Sequence, residues 1–347
     1  MARFVSAVEK ARREGARAAQ RAHLMFETPM DRPIDIFRII EEAGIWLMFQ
    51  PMPRLFGAYK HEKDSAGIIL NSNHPPSLQR YTAAHEYGHH ILHHSESIDE
   101  EEDIAGVSRA RNAQEAAAQT FAADFLMPLQ LVNQTLRVMH LPIQSPQLSP
   151  VDVYKLSLQL GASYSATVTQ LVALRKIKET GAAYLRTRRP LSIKEELSGG
   201  HPEDARADIW IIEEKDAGRE LTPRVNDEVH LLLDETPSSG YLWQVERMEP
   251  KSRPQEANES VVALQRHGFE VAEASDELRY GESGIHRFVF KIQHPGFCEL
   301  KVLKVRPWHA DERPASAFEA IVHALEKATG DADRGLSAHQ KVLLSAA

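Results

Sequence analysis

Two kinds of hydrophobic spacing divide the chain near residue 200. Up to about residue 185, apolar residues recur mostly every three or four positions, as in the stripe Phe4, Val8 and Ala11, and this spacing predicts helices. Beyond the glycine-containing stretch 198–200, apolar and polar residues alternate in short runs separated by turn residues. The pattern predicts a mainly helical domain followed by an all-β domain, and hence a multidomain α+β protein.

Two apolar runs inside the helical part have the composition of strands. They are Ile45–Phe49 and Ala66–Asn71, and a glycine-containing loop separates them. We expect them to pair as a small sheet beside a helix that begins near Ser77. A further helix is predicted from about Asn112 to Met127. The helix pair at 153–176, joined by Gly161-Ala162-Ser163, resembles a helix-turn-helix, and we interpret it as structural or as a partner-recognition module.

These patterns predict four segments. The first domain spans residues 1–190, a linker follows at 191–205, and the predicted β-sandwich covers 206–312. Residues 313–347 are expected to form a helical tail, because three apolar residues recur at helical spacing there: Phe318, Ile321 and Leu325.

Composition narrows the setting. A length of 347 residues suggests two or three domains, and the net charge of -8 argues against direct binding of nucleic acid. The single cysteine, Cys298, excludes a disulfide within the chain and a zinc site built from cysteines. We therefore expect a cytoplasmic protein. The charged N-terminus and the lack of a long uncharged apolar stretch predict neither secretion nor membrane insertion.

The segment His85-Glu86-Tyr87-Gly88-His89 predicts a metal centre. Two histidines four residues apart lie on one face of a helix, so both imidazoles can bind one zinc ion. Glu86 follows the first histidine, about 100° further round the helix, and is placed to act as general base. The segment therefore predicts a zinc hydrolase.

The third protein ligand is not fixed by this motif. The metzincin pattern is absent, since Leu92 and Ser95 replace its glycine and third histidine. Acidic candidates are the five residues from Asp99 to Asp103 and Glu115. Glu115 is favoured because it opens a helix with a small, apolar face, although Asn112 and Glu115 could also form a capping box.

Three more histidines, His90, His93 and His94, follow the motif and are alternative ligands. His93 continues the face of His85 and His89 but lies about 12 Å from His85. It is therefore a candidate for a supporting role behind the ligands, or for packing. His90 and His94 are predicted to face solvent.

A family resemblance supports the metal centre. The segment from His85 to His93, followed by Glu115-x-x-Ala118-x-x-Phe121-Ala122-Ala123 and then Leu126-Met127-Pro128, resembles the ImmA/IrrE metallopeptidases over roughly residues 1–185. The resemblance implies a mainly helical, zincin-like fold with one zinc ion held by His85, His89 and Glu115. It implies that Glu86 is catalytic and that the substrate is a protein, typically a helix-turn-helix repressor. Gln119 departs from the asparagine usual in the family.

Three loops of the β domain carry a second resemblance. The loop residues are Thr236-Pro237-Ser238-Ser239-Gly240, Gly281 and Gly284, and Arg306-Pro307-Trp308. Loops of this kind, joined to the strands of a sandwich, can gather at one end. They resemble those of the chagasin-like inhibitors of papain-type cysteine peptidases, over about residues 206–310, which implies an immunoglobulin-like sandwich and a cysteine protease as a possible partner. Thr236 replaces the usual asparagine, whereas Arg306-Pro307-Trp308 is intact. Trp243, Tyr241 and Phe288 are expected in the core.

Three functions are compatible with these features. The first is a zinc endopeptidase that cleaves a regulatory protein, with the β domain recruiting, sensing or restraining. The second is an inhibitor or binding module directed at a papain-like protease. The third is a metal-dependent regulator without hydrolysis.

Overall fold

The computed structural model describes residues 6–62, 65–94, 97–100, 113–143, 148–200, 202, 204–246, 260–271, 283–309 and 312–326. The described residues up to Thr187 form one compact unit, and those from Arg188 onward form a second. Within these residues, no helix combines the length and apolar character needed to cross a membrane.

The first unit is mainly helical, as predicted. Its helices are α1 (Ala7–Met25), α2 (Ile36–Glu42), α3 (Pro76–Ile91), α4 (Ala113–Leu126), α5 (Leu129–Val138), α6 (Pro150–Leu160), α7 (Tyr164–Ala173) and α8 (Glu179–Arg186).

Helix α1 packs closely on α4 through a glycine. A Cβ atom at Gly15 would overlap the carbonyl oxygen of Ala117. The buried alanines Ala18, Ala19 and Ala22 continue this face of α1. Small residues thus bring the two helices together.

A four-stranded sheet lies in the same unit, in the order β1-β3-β2-β4. The predicted pairing is confirmed, because β1 (Trp46–Gln50) runs parallel to β3 (Ser65–Asn71). The loop expected between them contains a strand, β2 (Leu55–Glu62), antiparallel to β3. The acidic segment expected to be a loop contributes β4 (Ser97–Glu100), antiparallel to β2.

The missing side chain of Gly57 explains why β2 can lie against the helices. A Cβ atom there would lie 2.6 Å from Cγ2 of Thr82 on α3. Without it, the strand packs directly on the helix that carries the two histidines.

The helix pair α6 and α7 is joined as the sequence predicts. Gly161 ends α6 with φ 61°, and Ser163 caps α7 by accepting a hydrogen bond from the backbone of Ala166. Arg80 of α3 reaches this turn and donates to the carbonyl oxygens of Leu160, at 3.1 Å, and of Gly161. The buried guanidinium thereby ties α3 to the helix pair.

The second unit begins with a helix where the sequence predicted a linker. Helix α9 (Pro190–Ser198) is held to the segment that follows it, because Lys194 donates to the carbonyl oxygen of Ala207 at 2.7 Å and pairs with Asp208 at 2.9 Å. The polar composition of this segment predicted a linker. Hydropathy does not register the polar contacts of the buried Lys194, which hold the helix in place.

Two four-stranded sheets follow. One has the order β5-β7-β10-β9, and the other has the order β6-β12-β11-β8. The strands are β5 (Ile209–Glu213), β6 (Glu220–Leu221), β7 (Glu228–Glu235), β8 (Leu242–Val245), β9 (Val262–Val271), β10 (Gly284–Ile292), β11 (Gly296–Val305) and β12 (Ser316–Ala324).

The last of these strands corrects the predicted helical tail. Strand β12 pairs with β11 along its whole length and with β6 at Ile321 and Val322. Alternate residues are buried, namely Phe318, Ala320, Val322 and Ala324. Three apolar residues at helical spacing suggested a helix. In the sheet, however, the side chains that are buried are those of every second residue. Residues 327–347 of the predicted tail lie outside the described residues.

The position of β12 inside its sheet leads to a prediction. A chain that ends at residue 313 lacks the strand between β6 and β11, so the second unit should not fold. A chain that ends at residue 328 should retain it. Near-ultraviolet circular dichroism during heating would compare the two, and a normal cooperative transition of the second unit in the shorter chain would contradict the expectation.

Candidate metal centre

Helix α3 positions the two predicted histidine ligands. It begins at Pro76, with Pro75 as N-cap, one residue before the expected start at Ser77. His85 and His89 are both 1% exposed, and their Nε2 atoms lie 3.2 Å apart. The two rings therefore present their ε-nitrogens to one point.

Helix α4 brings the carboxylate of Glu115 to the same point. Its Oε2 lies 3.3 Å from Nε2 of His85, and its Oε1 lies 3.5 Å from Nε2 of His89. Among the described residues, these three form a group of possible metal ligands whose donor atoms lie within 4.8 Å of one another.

Gly88 makes this convergence possible. A Cβ atom at Gly88 would lie 3.3 Å from Cα of Ala118 and 3.0 Å from Cδ1 of Phe121, both on α4. Ala118 and Ala122 are fully buried, as expected of the small, apolar face. The glycine between the two histidines therefore sets how near α4, and with it Glu115, can come.

The donor set fits zinc. Zinc bonds to imidazole nitrogen at about 2.0–2.1 Å, so two donors on a tetrahedral ion lie roughly 3.3 Å apart. The separations of 3.2, 3.3 and 3.5 Å are close to that value. Hydrogen-bonding contacts with His85 and His89 hold the pKa of Glu115 well below its usual range, which favours the ionised carboxylate that a metal ligand requires.

Other predicted site residues have different surroundings. Glu86 is fully buried next to His85. Among the alternative acids, residues 101–103 lie outside the described residues, and so do the side chains of Asp99 and Glu100. Glu115 is thus the acid whose described side chain meets the histidines.

The three later histidines differ from their predicted roles. His93 is exposed and has φ 55°, which is unusual for a residue with a side chain. His94, expected in solvent, is half-buried, and its Nδ1 lies 3.1 Å from Nδ1 of His89. His90 is also half-buried, with Nδ1 3.0 Å from the hydroxyl of Tyr59, and burial lowers its pKa.

The predicted exposure of His94 depends on α3 continuing through His93. Residue 94 would then lie on another face of the helix from His89. The helix ends at Ile91, however, and no glycine marks that end. The run of histidines after the motif was the only feature of the sequence that indicated a further histidine near the site.

In the second unit, contacts join parts of all three predicted partner-binding loops. The hydroxyl of Thr236 lies 2.8 Å from that of Ser283, which links the first loop to the second. The guanidinium of Arg306 lies 4.3 Å from the ring centre of Tyr241, which links the first loop to the third. Gly281 lies outside the described residues.

The first loop rests on a buried carboxylate. Glu235 is 3% exposed; it accepts a hydrogen bond of 2.8 Å from the backbone of Trp243 and lies 3.1 Å from Nδ1 of His286. Trp243 and Phe288 belong to the core, as expected. Tyr241, which was also expected there, is only half-buried.

Trp308 differs from these core aromatics. It is 62% exposed and packs beside Gly240, where a Cβ atom would lie 3.0 Å from Cζ2 of the indole. The loops therefore support an exposed tryptophan.

Comparison with known families confirms both resemblances. Residues 40–170 match the family model of the IrrE N-terminal-like domain. Residues 222–322 match that of the chagasin family peptidase inhibitors. One part of the chain is thus similar to the IrrE N-terminal-like domain, and another part is similar to the chagasin family.

Individual proteins match parts of the chain. The radiation response metalloprotease IrrE of Deinococcus deserti is 35% identical over 95 residues, which cover 27% of this chain and a third, 33%, of the relative. The cysteine protease inhibitor EhICP2 of Entamoeba histolytica is 21% identical, with a TM-score of 0.29, over 36% of this chain and 99% of the inhibitor. Amebosin is 18% identical, with a TM-score of 0.26, over 34% of this chain and 98% of amebosin.

The contact at Gly88 leads to a prediction. Gly88→Ala should weaken zinc binding and cost about 1–3 kcal/mol of stability, because the new methyl group meets the backbone of Ala118. Competition with a chromogenic chelator would measure affinity. Gly67→Ala is the control, since the nearest atoms to its Cβ, on Trp46, lie 3.8 and 3.9 Å away. Equal zinc affinities of Gly88→Ala and the wild type would contradict the argument.

Proposed function

We propose that the first unit is a zinc-dependent endopeptidase with one zinc ion per chain. The observation that carries this proposal is the convergence of three donors from two helices, His85 and His89 of α3 and Glu115 of α4, at separations of 3.2–3.5 Å. The set of two imidazoles and one carboxylate is typical of catalytic zinc sites, which keep a fourth position for water or substrate.

The proposed division of labour follows from the positions of the side chains. His85, His89 and Glu115 would hold the ion, and Glu86, one residue after His85 on α3, would act as general base of the HExxH motif. Zinc, when bound, lowers the pKa of a coordinated water and polarises a carbonyl group. Burial of Glu86 would keep bulk water away from the proton that it accepts.

The proposed substrate is a regulatory protein in the cytoplasm, in particular a helix-turn-helix repressor. The resemblance to ImmA/IrrE metallopeptidases and the name of the Deinococcus relative, a radiation response metalloprotease, support this choice. The test is to incubate the zinc-loaded protein with purified helix-turn-helix repressors from the same organism. Mass spectrometry should find one cleavage site, and an intact partner would argue against this substrate.

Glu86 provides the sharpest test of catalysis. Glu86→Gln should slow cleavage by about a hundred- to ten-thousand-fold while zinc stays bound, because the amide cannot accept the proton. Glu115→Ala should lose zinc as well as activity. Metal analysis and a cleavage assay would be run on both, with Glu42→Gln, at an exposed position on α2, as the control. Undiminished cleavage by Glu86→Gln would overturn the proposal.

A second function is supported by the loop contacts of the second unit. We propose that the loops around Thr236, Ser283 and Arg306 bind a partner of the papain-like cysteine protease class. Their mutual contacts and the exposed Trp308 favour a preorganised binding surface. An immunoglobulin-like arrangement of the two sheets would suit this role.

Trp308 provides the test of this second function. The full chain carrying Glu86→Gln should inhibit a papain-like protease at micromolar concentration, and Trp308→Ala should raise the inhibition constant at least about tenfold. Phe297→Ala is the matched control, because Phe297 is an exposed aromatic residue near the start of β11, whereas Trp308 follows the end of that strand. An absence of inhibition by the chain with Trp308 intact would remove this function.

A further inference from the structure

The end of helix α3 has a specific hydrogen-bond pattern. The last helical residue is Ile91, and Leu92 is the C-cap. The amide of His94 donates to the carbonyl oxygen of His89 at 2.9 Å, and the amide of His93 donates to that of His90 at 3.1 Å. These two bonds, with His93 in the left-handed conformation, define a Schellman motif.

This motif brings two particular residues together. In a Schellman motif, the second residue after the C-cap packs against the residue three positions before the C-cap. Those residues are His94 and His89. Their Nδ1 atoms lie 3.1 Å apart, and their ring centres are 5.1 Å apart with the planes at 67°. The contact is therefore a hydrogen bond between ring nitrogens and not a stack of the two faces.

The direction of this bond follows from the other nitrogen of His89. Its Nε2 faces His85 and Glu115, at 3.2 and 3.5 Å. A neutral imidazole that offers Nε2 to a metal carries its proton on Nδ1. His89 would then donate from Nδ1, and His94 would accept at Nδ1 with its own proton on Nε2.

We propose that His94 is a positioning residue for the metal centre. By accepting the Nδ1 proton of His89, it would fix the tautomer and the ring orientation that direct Nε2 towards the ion. This inference rests on the proposed zinc function. Metal-binding histidines commonly have such an acceptor, and its loss weakens metal affinity by about 10–100-fold.

His93 has a separate role in this arrangement. It is exposed and takes the position at which a glycine usually ends a helix. The turn at His93 is what carries the chain back so that His94 meets His89. His93→Gly should preserve this turn, since glycine adopts a positive φ without strain.

The test compares variants of His94 in the full chain. His94→Leu removes the acceptor and keeps a side chain of comparable bulk. His94→Asn keeps an acceptor, because its Oδ1 is attached at the same Cγ position as the histidine Nδ1. His93→Gly is the matched control at the neighbouring position.

Three measurements separate positioning from folding. Chelator competition gives the zinc dissociation constant, the visible spectrum of the cobalt-substituted protein reports the ligand geometry, and thermal unfolding of the metal-free protein reports stability. His94→Leu should bind zinc about 10–100-fold more weakly and shift the cobalt bands, with little change in metal-free stability. His94→Asn and His93→Gly should bind zinc within a few-fold of the wild type.

Each outcome decides the proposal. Wild-type zinc affinity and an unchanged cobalt spectrum in His94→Leu would overturn it, and so would equal losses in His94→Leu and His94→Asn. If His94→Leu does not fold, His94→Gln replaces it, because its acceptor lies one methylene further out. Tighter binding by His94→Asn than by His94→Gln supports the proposal, and equal binding overturns it. A wild-type chain that binds no zinc would instead overturn the proposed function.

Discussion

The contact between α3 and α4 at Gly88 is the constraint on which the metal centre depends. The two histidines come from one helix and the glutamate from the other, so the distance between the helices sets the distance between donors. Gly88 lies between His85 and His89, against Ala118, one turn after Glu115. Any side chain at this position would separate the two halves of the site. The motif thus supplies two of the donors, His85 and His89. It also supplies the glycine that lets α4 bring the third donor, Glu115, close to them.

The grouping of His85, His89 and Glu115 could be anticipated from sequence because its signals are local, although the histidine motif alone left the acidic partner open. The spacing of His85 and His89 on one helix and the small residues around Ala118 need no knowledge of tertiary structure. The contact of His94 with His89 could not be predicted in the same way, because it depends on where α3 ends. That end is set by a histidine in the left-handed conformation, for which the sequence contains no glycine signal.

The strands of the first unit show the same limit. The central strand β3 has an apolar run and could be predicted, whereas β2 includes Gly57 and charged residues and was taken for a loop. Strand β2 owes its place to β3 on one side and to Thr82 of α3, which occupies the space beside Gly57. In the second unit, β12 is rich in alanine, and its strand conformation comes from its neighbours β11 and β6. These are contacts between distant parts of the sequence, which local spacing does not contain.

The turn between α6 and α7 has a consequence for how genetic variation in this protein would be interpreted. Gly161 has a positive φ, and the guanidinium of Arg80 fills the space in which a Cβ atom would lie. Arg80 also donates to the carbonyl oxygen of Ile34 at 2.8 Å and precedes His85 by five residues on α3. A substitution at Gly161 would therefore disturb the first part of α3, the helix that carries His85 and His89. In a genetic screen, inactive variants at this turn would be interpreted as defects in partner recognition, because the helix pair resembles a recognition module. The actual defect would lie in α3, the helix that carries His85 and His89.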